Sequence, residues 1–212
     1  MSRRAIPGDV RAGAVVLAGG RSSRMGQPKA LLDWRGRPAV LHAVEVVREG
    51  CAGGPVCVVR APGQQLPQLD AIIVDDAVAH RGPLGGLHAG LAALAERVEV
   101  AFACGVDTPL LVPAFVRRVC GSLQDDDDAV VPMIGGRSQP LLAAYRTAIV
   151  EVLEELLGHG HLGLKDVPAV CAVRELSELE LLADAELRAA DPELRSVANA
   201  NTPEQWATLV AE

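Results

Sequence analysis

The hydrophobic residues of this chain occur in two alternating patterns. Short continuous apolar runs are typical of buried strands, whereas apolar positions three or four residues apart indicate one face of a helix. Regular alternation of the two patterns is typical of an α/β protein with a largely parallel sheet. The pattern predicts strands over residues 14–18, 56–59, 71–74, 100–104, 129–133 and 141–145, and helices over residues 38–49, 85–96, 113–123, 147–157 and 203–210.

The predicted architecture is a Rossmann-like fold of three layers, with helices on both faces of a mostly parallel central sheet. No linker or low-complexity stretch interrupts the sequence, so we expect residues 1–212 to form a single domain, with residues 1–11 as a flexible tail. The pattern of residues 169–187 is ambiguous and predicts neither helix nor strand. Thr202, Pro203 and Gln205 form a capping-box pattern that predicts the start of the last helix.

Charge and composition narrow the class of ligand. A net charge of −7 and an aromatic content of 2% argue against a nucleic-acid-binding surface. No apolar stretch approaches the roughly 18 residues that a membrane span needs, and the basic N-terminus is not followed by the apolar run of a secretory signal. The five cysteines are scattered, which favours reduced thiols. We therefore expect a cytoplasmic protein that binds small molecules, with neither nucleic acid nor membrane as a partner.

The most informative segment is residues 17–29, LAGGRSSRMGQPK, which overlaps the end of the first predicted strand. Open α/β sheets bind ligands at the carboxyl ends of their strands, and adjacent Gly19 and Gly20 let backbone N–H groups approach phosphate oxygens. The spacing matches neither a Walker A loop nor Gly-x-Gly-x-x-Gly, which disfavours a P-loop ATPase or a dinucleotide dehydrogenase. The segment predicts a site for a nucleoside triphosphate.

Two basic residues of this segment, Arg24 and Lys29, are the candidate catalytic cations. Arg24 offers a planar fork that suits bidentate contact with phosphate oxygens. Lys29 carries a mobile point charge that can follow the negative charge from the α-phosphate to the departing pyrophosphate. Either side chain is suited to stabilising the transition state of nucleotidyl transfer.

Asp107 is the candidate metal ligand. It follows the fourth predicted strand, so its carboxylate is expected to face the same crevice as the glycine loop. A carboxylate is a hard oxygen ligand appropriate to Mg²⁺ that bridges phosphates. The alternative is an Asp that only begins the turn at Thr108 and Pro109, and the presence of the glycine loop favours the metal ligand.

A second glycine-rich segment, GPLGG at residues 82–86, lies between the third predicted strand and a helix. Its closely spaced glycines allow the backbone to pack against a flat ligand such as a nucleobase, and the helix N-terminus behind it favours anions. We interpret this segment as one wall of a nucleoside site.

Together these segments resemble the molybdenum cofactor guanylyltransferase family, the MobA-like nucleotidyltransferases. The resemblance rests on residues 17–29, on GPLGG at 82–86, on Asp-Thr-Pro at 107–109 and on NANTPE at 199–204, which follow the family's order over nearly the whole chain. The first motif is shared with cytidylyl- and sugar-nucleotide transferases. The second and third motifs indicate the guanylyltransferase branch.

The resemblance implies Mg²⁺-dependent transfer of GMP from GTP to the phosphate of molybdenum-molybdopterin, with release of pyrophosphate. It also implies transient contact with other proteins of molybdenum cofactor biosynthesis. Asn199 and Asn201 are candidates for the acceptor or metal side, and a purely turn-forming role is the open alternative. The candidate nucleotide-binding residues are Leu17, Ala18, Gly19, Gly20, Lys29, Asp76, Gly82, Pro83, Leu84 and Gly85, and the candidate catalytic residues are Arg24, Lys29 and Asp107, the last also holding the metal.

Two departures from the family leave the substrates open. Arg60 follows the second predicted strand where the best-known members carry an Asn, so recognition of the base or ribose is not settled by the sequence. Residues 166–195 form a longer segment than the family leads us to expect, and they are a candidate modifier of the acceptor pocket. The alternatives are a cytidylyl- or other nucleotidyltransferase with a different small phosphorylated acceptor, and a nucleotide-binding module without turnover.

Overall fold

A mixed sheet organises the fold, and the computed structural model describes residues 12–19, 25–76 and 82–212. The described strands are β1 (Ala12–Leu17), β2 (Asp33–Trp34), β3 (Arg37–Pro38), β4 (Val56–Arg60), β5 (Ile72–Asp75), β6 (Val100–Gly105), β7 (Ala129–Ile134), β8 (Arg137–Ser138), β9 (Leu142–Arg146) and β10 (Val173–Ser177). The described α-helices are α1 (Ala39–Gly50), α2 (Gly82–Leu94), α3 (Pro113–Cys120), α4 (Val150–Gly158), α5 (Glu178–Leu182), α6 (Ala185–Ala190) and α7 (Pro203–Ala211).

The main sheet has the strand order β10-β7-β9-β6-β1-β4-β5, with the short β8 beside β7. Strands β5, β4, β1 and β6 are parallel neighbours, and β9 runs antiparallel to both β6 and β7. The prediction of a mostly parallel sheet is confirmed. Because the chain moves outward from β1 to β4 on one side and reaches β6 on the other, β1 marks the switch point where such sheets bind ligands.

Two hydrophobic cores lie on opposite faces of this sheet. Successive side chains of a strand point to opposite faces, so Val16 packs into one core and Val15 into the other. The first core includes residues of α1, α3, α5 and α6, and the second includes residues of α2 and α4. At Gly90 of α2 a β-carbon would lie only 2.3 Å from Cγ1 of Val15, so glycine lets this helix approach the sheet closely. The three-layer prediction is confirmed.

A third, smaller core joins the β2–β3 hairpin to α7. Trp34 and Trp206 meet edge to face with ring centroids 5.7 Å apart, a geometry that aromatic pairs prefer. The indole Nε1 of Trp206 also donates a hydrogen bond of 2.8 Å to the carbonyl of Asp33. The last helix is thereby held against the segment that follows the glycine loop.

Several predicted boundaries differ from the structure. Pro38 belongs to β3, so the first helix begins at Ala39. The helix predicted from residue 85 begins three residues earlier, at Gly82, and the one predicted over 147–157 starts with a 3₁₀ turn over Thr147–Ile149. The hairpin of β2 and β3 was not predicted, because each of its strands has only two residues. No helix in the described part of the chain is long and apolar enough to cross a membrane.

The ambiguous segment 169–187 contains strand β10 and helix α5. The strand pairs in parallel with β7 at the edge of the sheet, and only Leu176 among its five residues is fully buried. An edge strand with one buried side chain carries little periodicity, which explains the absence of a clear prediction. Residues 166–195 comprise the end of a 3₁₀ helix (Leu164–Ala169), this edge strand and helices α5 and α6.

Candidate active site

Three side chains from distant parts of the chain meet at the carboxyl ends of the strands. Lys29 Nζ lies 3.1 Å from Asp107 Oδ2 and donates a hydrogen bond of 2.8 Å to Asn201 Oδ1. The side chains of Lys29 and Asp107 are 18% and 29% exposed, so both are shielded yet open to a ligand. The structure thus brings together the predicted catalytic cation, the predicted metal ligand and one of the two candidate asparagines.

Asp107 is fixed by the end of β6 and by the C-terminal segment. The strand is fully buried up to Gly105, and a β-carbon at that glycine would lie 2.4 Å from Asp107 Oδ1. Glycine at this position therefore leaves room for the carboxylate over the strand end. The Asp107 carbonyl accepts a hydrogen bond of 2.9 Å from the Ala200 amide. Asp107 and Asn201 are consequently positioned by the same backbone contact.

Asn201 owes its position to the capping box of α7. The Thr202 side chain accepts a hydrogen bond from the Gln205 amide, and Gln205 Oε1 accepts one from the Thr202 amide. The same Oε1 also accepts a hydrogen bond of 2.7 Å from the Asn201 amide. A capping box satisfies backbone donors at a helix start and fixes the direction of the chain there. Asn199, two residues earlier, is exposed. The sequence predicted the capping box but not that it places one asparagine on Lys29.

The backbone after β1 is the predicted nucleotide-binding segment. The amides of Ala18 and Gly19 both donate to the Val59 carbonyl of β4, at 2.8 and 3.1 Å. A β-carbon at Gly19 would lie 2.9 Å from the amide nitrogen of Ala61, so this glycine permits a close approach of two strand ends. Leu17 is half-buried and Gly19 is exposed at the mouth of the site.

Arg60, the departure from the family, ends β4 at the same edge. Its Nε donates a hydrogen bond of 2.7 Å to Asp75 Oδ1, and its Nη1 donates one of 3.1 Å to the Gln64 carbonyl. The Arg60 carbonyl accepts a hydrogen bond of 2.8 Å from the Asp76 amide. Asp76 therefore lies beside the ends of β4 and β5, and its contact with a nucleoside stays a prediction. Gln64 was missed by the sequence argument, and no motif marks it.

The second glycine-rich segment forms the first turn of α2. Gly82 has φ +67, and a β-carbon there would lie 2.4 Å from the Leu162 carbonyl oxygen, so both conformation and contact require glycine. Gly82 and Pro83 are exposed, whereas Leu84 and Gly85 are buried. Leu84 packs its side chain in the second core. A ligand could approach this turn only through the backbone and its exposed first residues.

Three predictions lie outside the described residues. They are the candidate phosphate contacts Gly20 and Arg24 and the tail over residues 1–11. Their roles stay predictions from the sequence.

The donor groups suit a metal ion completed by substrate. Within residues 12–19, 25–76 and 82–212, no group of three or more His, Cys, Asp or Glu side chains could hold a metal ion by itself. Mg²⁺ in phosphate-transfer sites is commonly held by one or two carboxylates, with phosphate and water oxygens filling its shell. Asp107 Oδ1 is not the oxygen that contacts Lys29. The site therefore fits a divalent cation that binds together with a triphosphate.

A half-buried histidine supports the loop that carries Asp107. His42 of α1 lies with one ring nitrogen, Nε2, 2.8 Å from the Pro109 carbonyl and the other, Nδ1, 2.9 Å from Nη2 of Arg37, which also pairs with Glu45. A neutral imidazole with the proton on Nε2 satisfies both contacts, because it donates to the carbonyl and accepts from the guanidinium. Burial, as the largest cause, holds the pKa of His42 below its usual value; Arg37 and Arg35 also lower it, while the Pro109 contact and Glu45 oppose the shift.

This lowered pKa predicts a loss of stability in mild acid. The unfolded chain takes up the proton more readily than the folded protein, so the stabilising contribution is complete above about pH 6.5 and is lost as the pH falls below that value. We expect the free energy of unfolding of the wild-type protein to fall between pH 7.5 and 5.5 by more than that of His42→Gln. Urea unfolding at pH 7.5 and pH 5.5 measures the free energy of unfolding, with His159→Gln as the control at an exposed histidine. Equal pH dependence in wild type and His42→Gln would contradict the prediction.

The fold and the site together define the class of enzyme to which this chain belongs. A mostly parallel sheet with a glycine-containing segment, a lysine and a carboxylate at its switch point is the framework of a nucleotidyltransferase. The model of the MobA-like NTP transferase domain matches residues 14–176. A probable molybdenum cofactor guanylyltransferase of Mycobacterium avium (strain 104) is 35% identical over 191 residues, which cover 89% of this chain and 89% of that protein. The chain therefore belongs to the MobA-like NTP transferase family, and it is a nucleotidyltransferase.

Solved structures share the fold. Molybdopterin-guanine dinucleotide biosynthesis protein A from Archaeoglobus fulgidus superposes with a TM-score of 0.70 at 21% identity, over 94% of this chain and 97% of that one. A Mycobacterium tuberculosis protein in complex with manganese superposes with a TM-score of 0.61 at 20% identity, over 95% of this chain and 99% of that one. These similarities confirm the Rossmann-like α/β fold.

Proposed function

We propose that this enzyme transfers GMP from GTP to the phosphate of molybdenum-molybdopterin and releases pyrophosphate in a Mg²⁺-dependent reaction. The observation that carries the proposal is the contact of Lys29 with Asp107 and Asn201 at the strand ends. The name of the Mycobacterium avium relative supports the choice of substrates. The free thiols of all five cysteines support a reducing, cytoplasmic location.

The reaction requires no nucleophile from the protein. An oxygen of the acceptor phosphate attacks the α-phosphorus of GTP in line, a new P–O bond forms, and the bond to the bridging oxygen of pyrophosphate breaks. Catalysis then depends on alignment and on stabilising the negative charge that moves toward the leaving group. We assign the second task to Lys29, and its shielded ammonium, which lies among oxygen acceptors, supports this assignment.

Asp107 would hold the divalent cation, which supplies positive charge to the phosphate oxygens when bound. Lys29 keeps the Asp107 carboxylate in place, and Asn201 keeps Lys29 in place. The manganese complex of the Mycobacterium tuberculosis structure supports a divalent cation in a protein of this fold. We propose Mg²⁺ as the physiological ion because it is the usual partner of nucleoside triphosphates.

The remaining substrate contacts follow from position. We propose that the backbone of residues 17–20 and the side chain of Arg24 contact the nucleotide, with Asp76 and the first turn of α2, residues 82–85, on the nucleoside side. Asn201, with the exposed Asn199 nearby in sequence, would face the acceptor. Transient contact with other proteins of the cofactor pathway would deliver that acceptor, with no nucleic acid involved.

The test is pyrophosphate release with Mg²⁺ and a molybdopterin-type acceptor, with GTP, CTP, ATP and UTP supplied separately. We expect release with GTP at a rate at least about tenfold above the other three, the discrimination that about 1.4 kcal/mol gives. Release that is selective for CTP would move the enzyme to cytidylyl transfer. Absence of release with every nucleotide would contradict the proposed reaction, and omission of Mg²⁺ tests the metal requirement.

A further inference from the structure

The side chain of Gln64 joins two strand ends that the sequence argument treated separately. Its Nε2 donates a hydrogen bond of 3.0 Å to the Ala18 carbonyl after β1. Its Oε1 accepts one of 3.0 Å from the Ala61 amide after β4. Gln64 is half-buried, so both bonds are partly shielded from water. The carboxamide therefore ties the nucleotide-binding segment to the loop between β4 and β5.

The local backbone directs this side chain toward β1. The backbone amide of Gln64 donates a hydrogen bond of 3.0 Å to the Ala61 carbonyl, and this bond closes a four-residue turn. Pro62 and Gly63 occupy its central positions, and Gly63 has φ +75, the combination that a type II turn requires. Arg60 holds the Gln64 carbonyl from the other side and is itself paired with Asp75. The turn is thus fixed at both ends before any ligand binds.

The orientation of the carboxamide is determined by its partners. The Ala18 carbonyl can only accept a hydrogen bond and the Ala61 amide can only donate one, so the nitrogen and oxygen of the side chain cannot be exchanged. Glutamate at this position would place a second acceptor against the Ala18 carbonyl. An uncharged side chain without hydrogen-bonding groups would leave both backbone groups without this partner.

We propose that Gln64 is a positioning residue for the nucleobase. By fixing the Ala18 carbonyl and the peptide that leads to Gly19, it holds the backbone of residues 17–19 in one conformation. This backbone lies next to the end of β4, where the Arg60 carbonyl accepts a hydrogen bond from the amide of Asp76, which the proposed function puts on the nucleoside side. The inference rests on the proposed function, because it takes these residues as the nucleotide contact. Gln64 joins the ends of β1 and β4, whereas Asp107 follows β6 on the other side of β1, so Gln64 acts on binding and base choice rather than on the transfer step.

The experiment compares Gln64→Glu and Gln64→Met with Gln65→Glu and Gln65→Met. Gln65 is the adjacent, exposed glutamine, so the second pair makes the same chemical changes outside the contact. We expect both Gln64 variants to raise KM for GTP by about tenfold with kcat within about threefold, as expected for lost substrate binding. We expect them also to lower the ratio of kcat/KM for GTP over ATP by at least about threefold. The Gln65 variants should match the wild-type enzyme.

Direct binding separates this inference from the proposed reaction. The Kd of GTP and of ATP is measured by titration calorimetry for the wild-type protein and all four variants, with thermal unfolding as the check on folding. If the wild-type protein binds GTP but releases no pyrophosphate, the proposed reaction is contradicted. Weaker GTP binding in the folded Gln64 variants would in that case still support the role of Gln64. Folded Gln64 variants with wild-type Kd and selectivity would overturn the inference, and so would a wild-type protein that binds no nucleotide.

Discussion

Replacing Asp107 by asparagine is expected to lower kcat by at least about 10²-fold, the scale on which a single preorganised charge-stabilising group contributes to catalysis. Asparagine preserves the size of the side chain but removes the negative charge that attracts a divalent cation and pairs with Lys29. The fold should survive, because the backbone contact from Ala200 to the residue 107 carbonyl does not depend on the side chain. The measurement is initial rate of pyrophosphate release against Mg²⁺ concentration.

The control for this change is Asp126→Asn, which removes the same charge from an exposed loop between α3 and β7. It should leave the rate and the Mg²⁺ dependence unchanged. Thermal unfolding establishes that both variants are folded. A rate for Asp107→Asn within threefold of wild type, with the same Mg²⁺ dependence, would remove Asp107 from the metal site.

Replacing Lys29 by alanine is expected to slow turnover by about 10²- to 10³-fold, on the same scale of lost transition-state stabilisation. Two effects add in this variant. The ammonium no longer offsets the charge of the departing pyrophosphate, and Asp107 loses the partner that positions it. Single-turnover kinetics with saturating GTP measure the transfer step apart from binding, and the loss should appear there in full.

The chain contains a matched control, since Lys29 and Lys165 are its two lysines. Lys165 is exposed, and Lys165→Ala should retain the wild-type rate. Because Lys29 and Asp107 are in contact, the double variant should lose less than the product of the two single losses. A loss below threefold in Lys29→Ala would exclude this lysine from catalysis.

Local patterns were sufficient to predict much of the fold. The strands β1, β4 and β6 have short, continuous apolar runs, and α7 has a complete capping box, so each could be identified from its own residues. Where the pattern was weak, as in the edge strand β10, the structure depends on pairing with β7, which lies about 40 residues earlier and leaves no local trace. The same holds for β9, whose direction in the sheet cannot be read from its apolar run.

The residues of the candidate site also fall into those that local patterns predict and those that depend on long-range contacts. Lys29 and Asp107 could be predicted because each follows a recognisable strand, and parallel strands bring their carboxyl ends to one edge. The interaction of Asn201 with Lys29 spans 172 positions, and it depends on how α7 packs against Trp34. Gln64 has no motif at all, since its role comes from a turn that faces a neighbouring strand. Long-range placement of this kind is a property of the packed molecule.

The packing of α7 against the β2–β3 hairpin has a consequence for biosynthesis and for protein engineering. The family model ends at residue 176, yet Asn201 and the amide that supports Asp107 lie beyond it. A polypeptide cut at that limit would contain every strand of the sheet through most of β10 and still lack Asn201, a hydrogen-bond partner of Lys29. During translation, likewise, the contact of Lys29 with Asn201 cannot form until all of the strands have been made, so an incomplete chain lacks it.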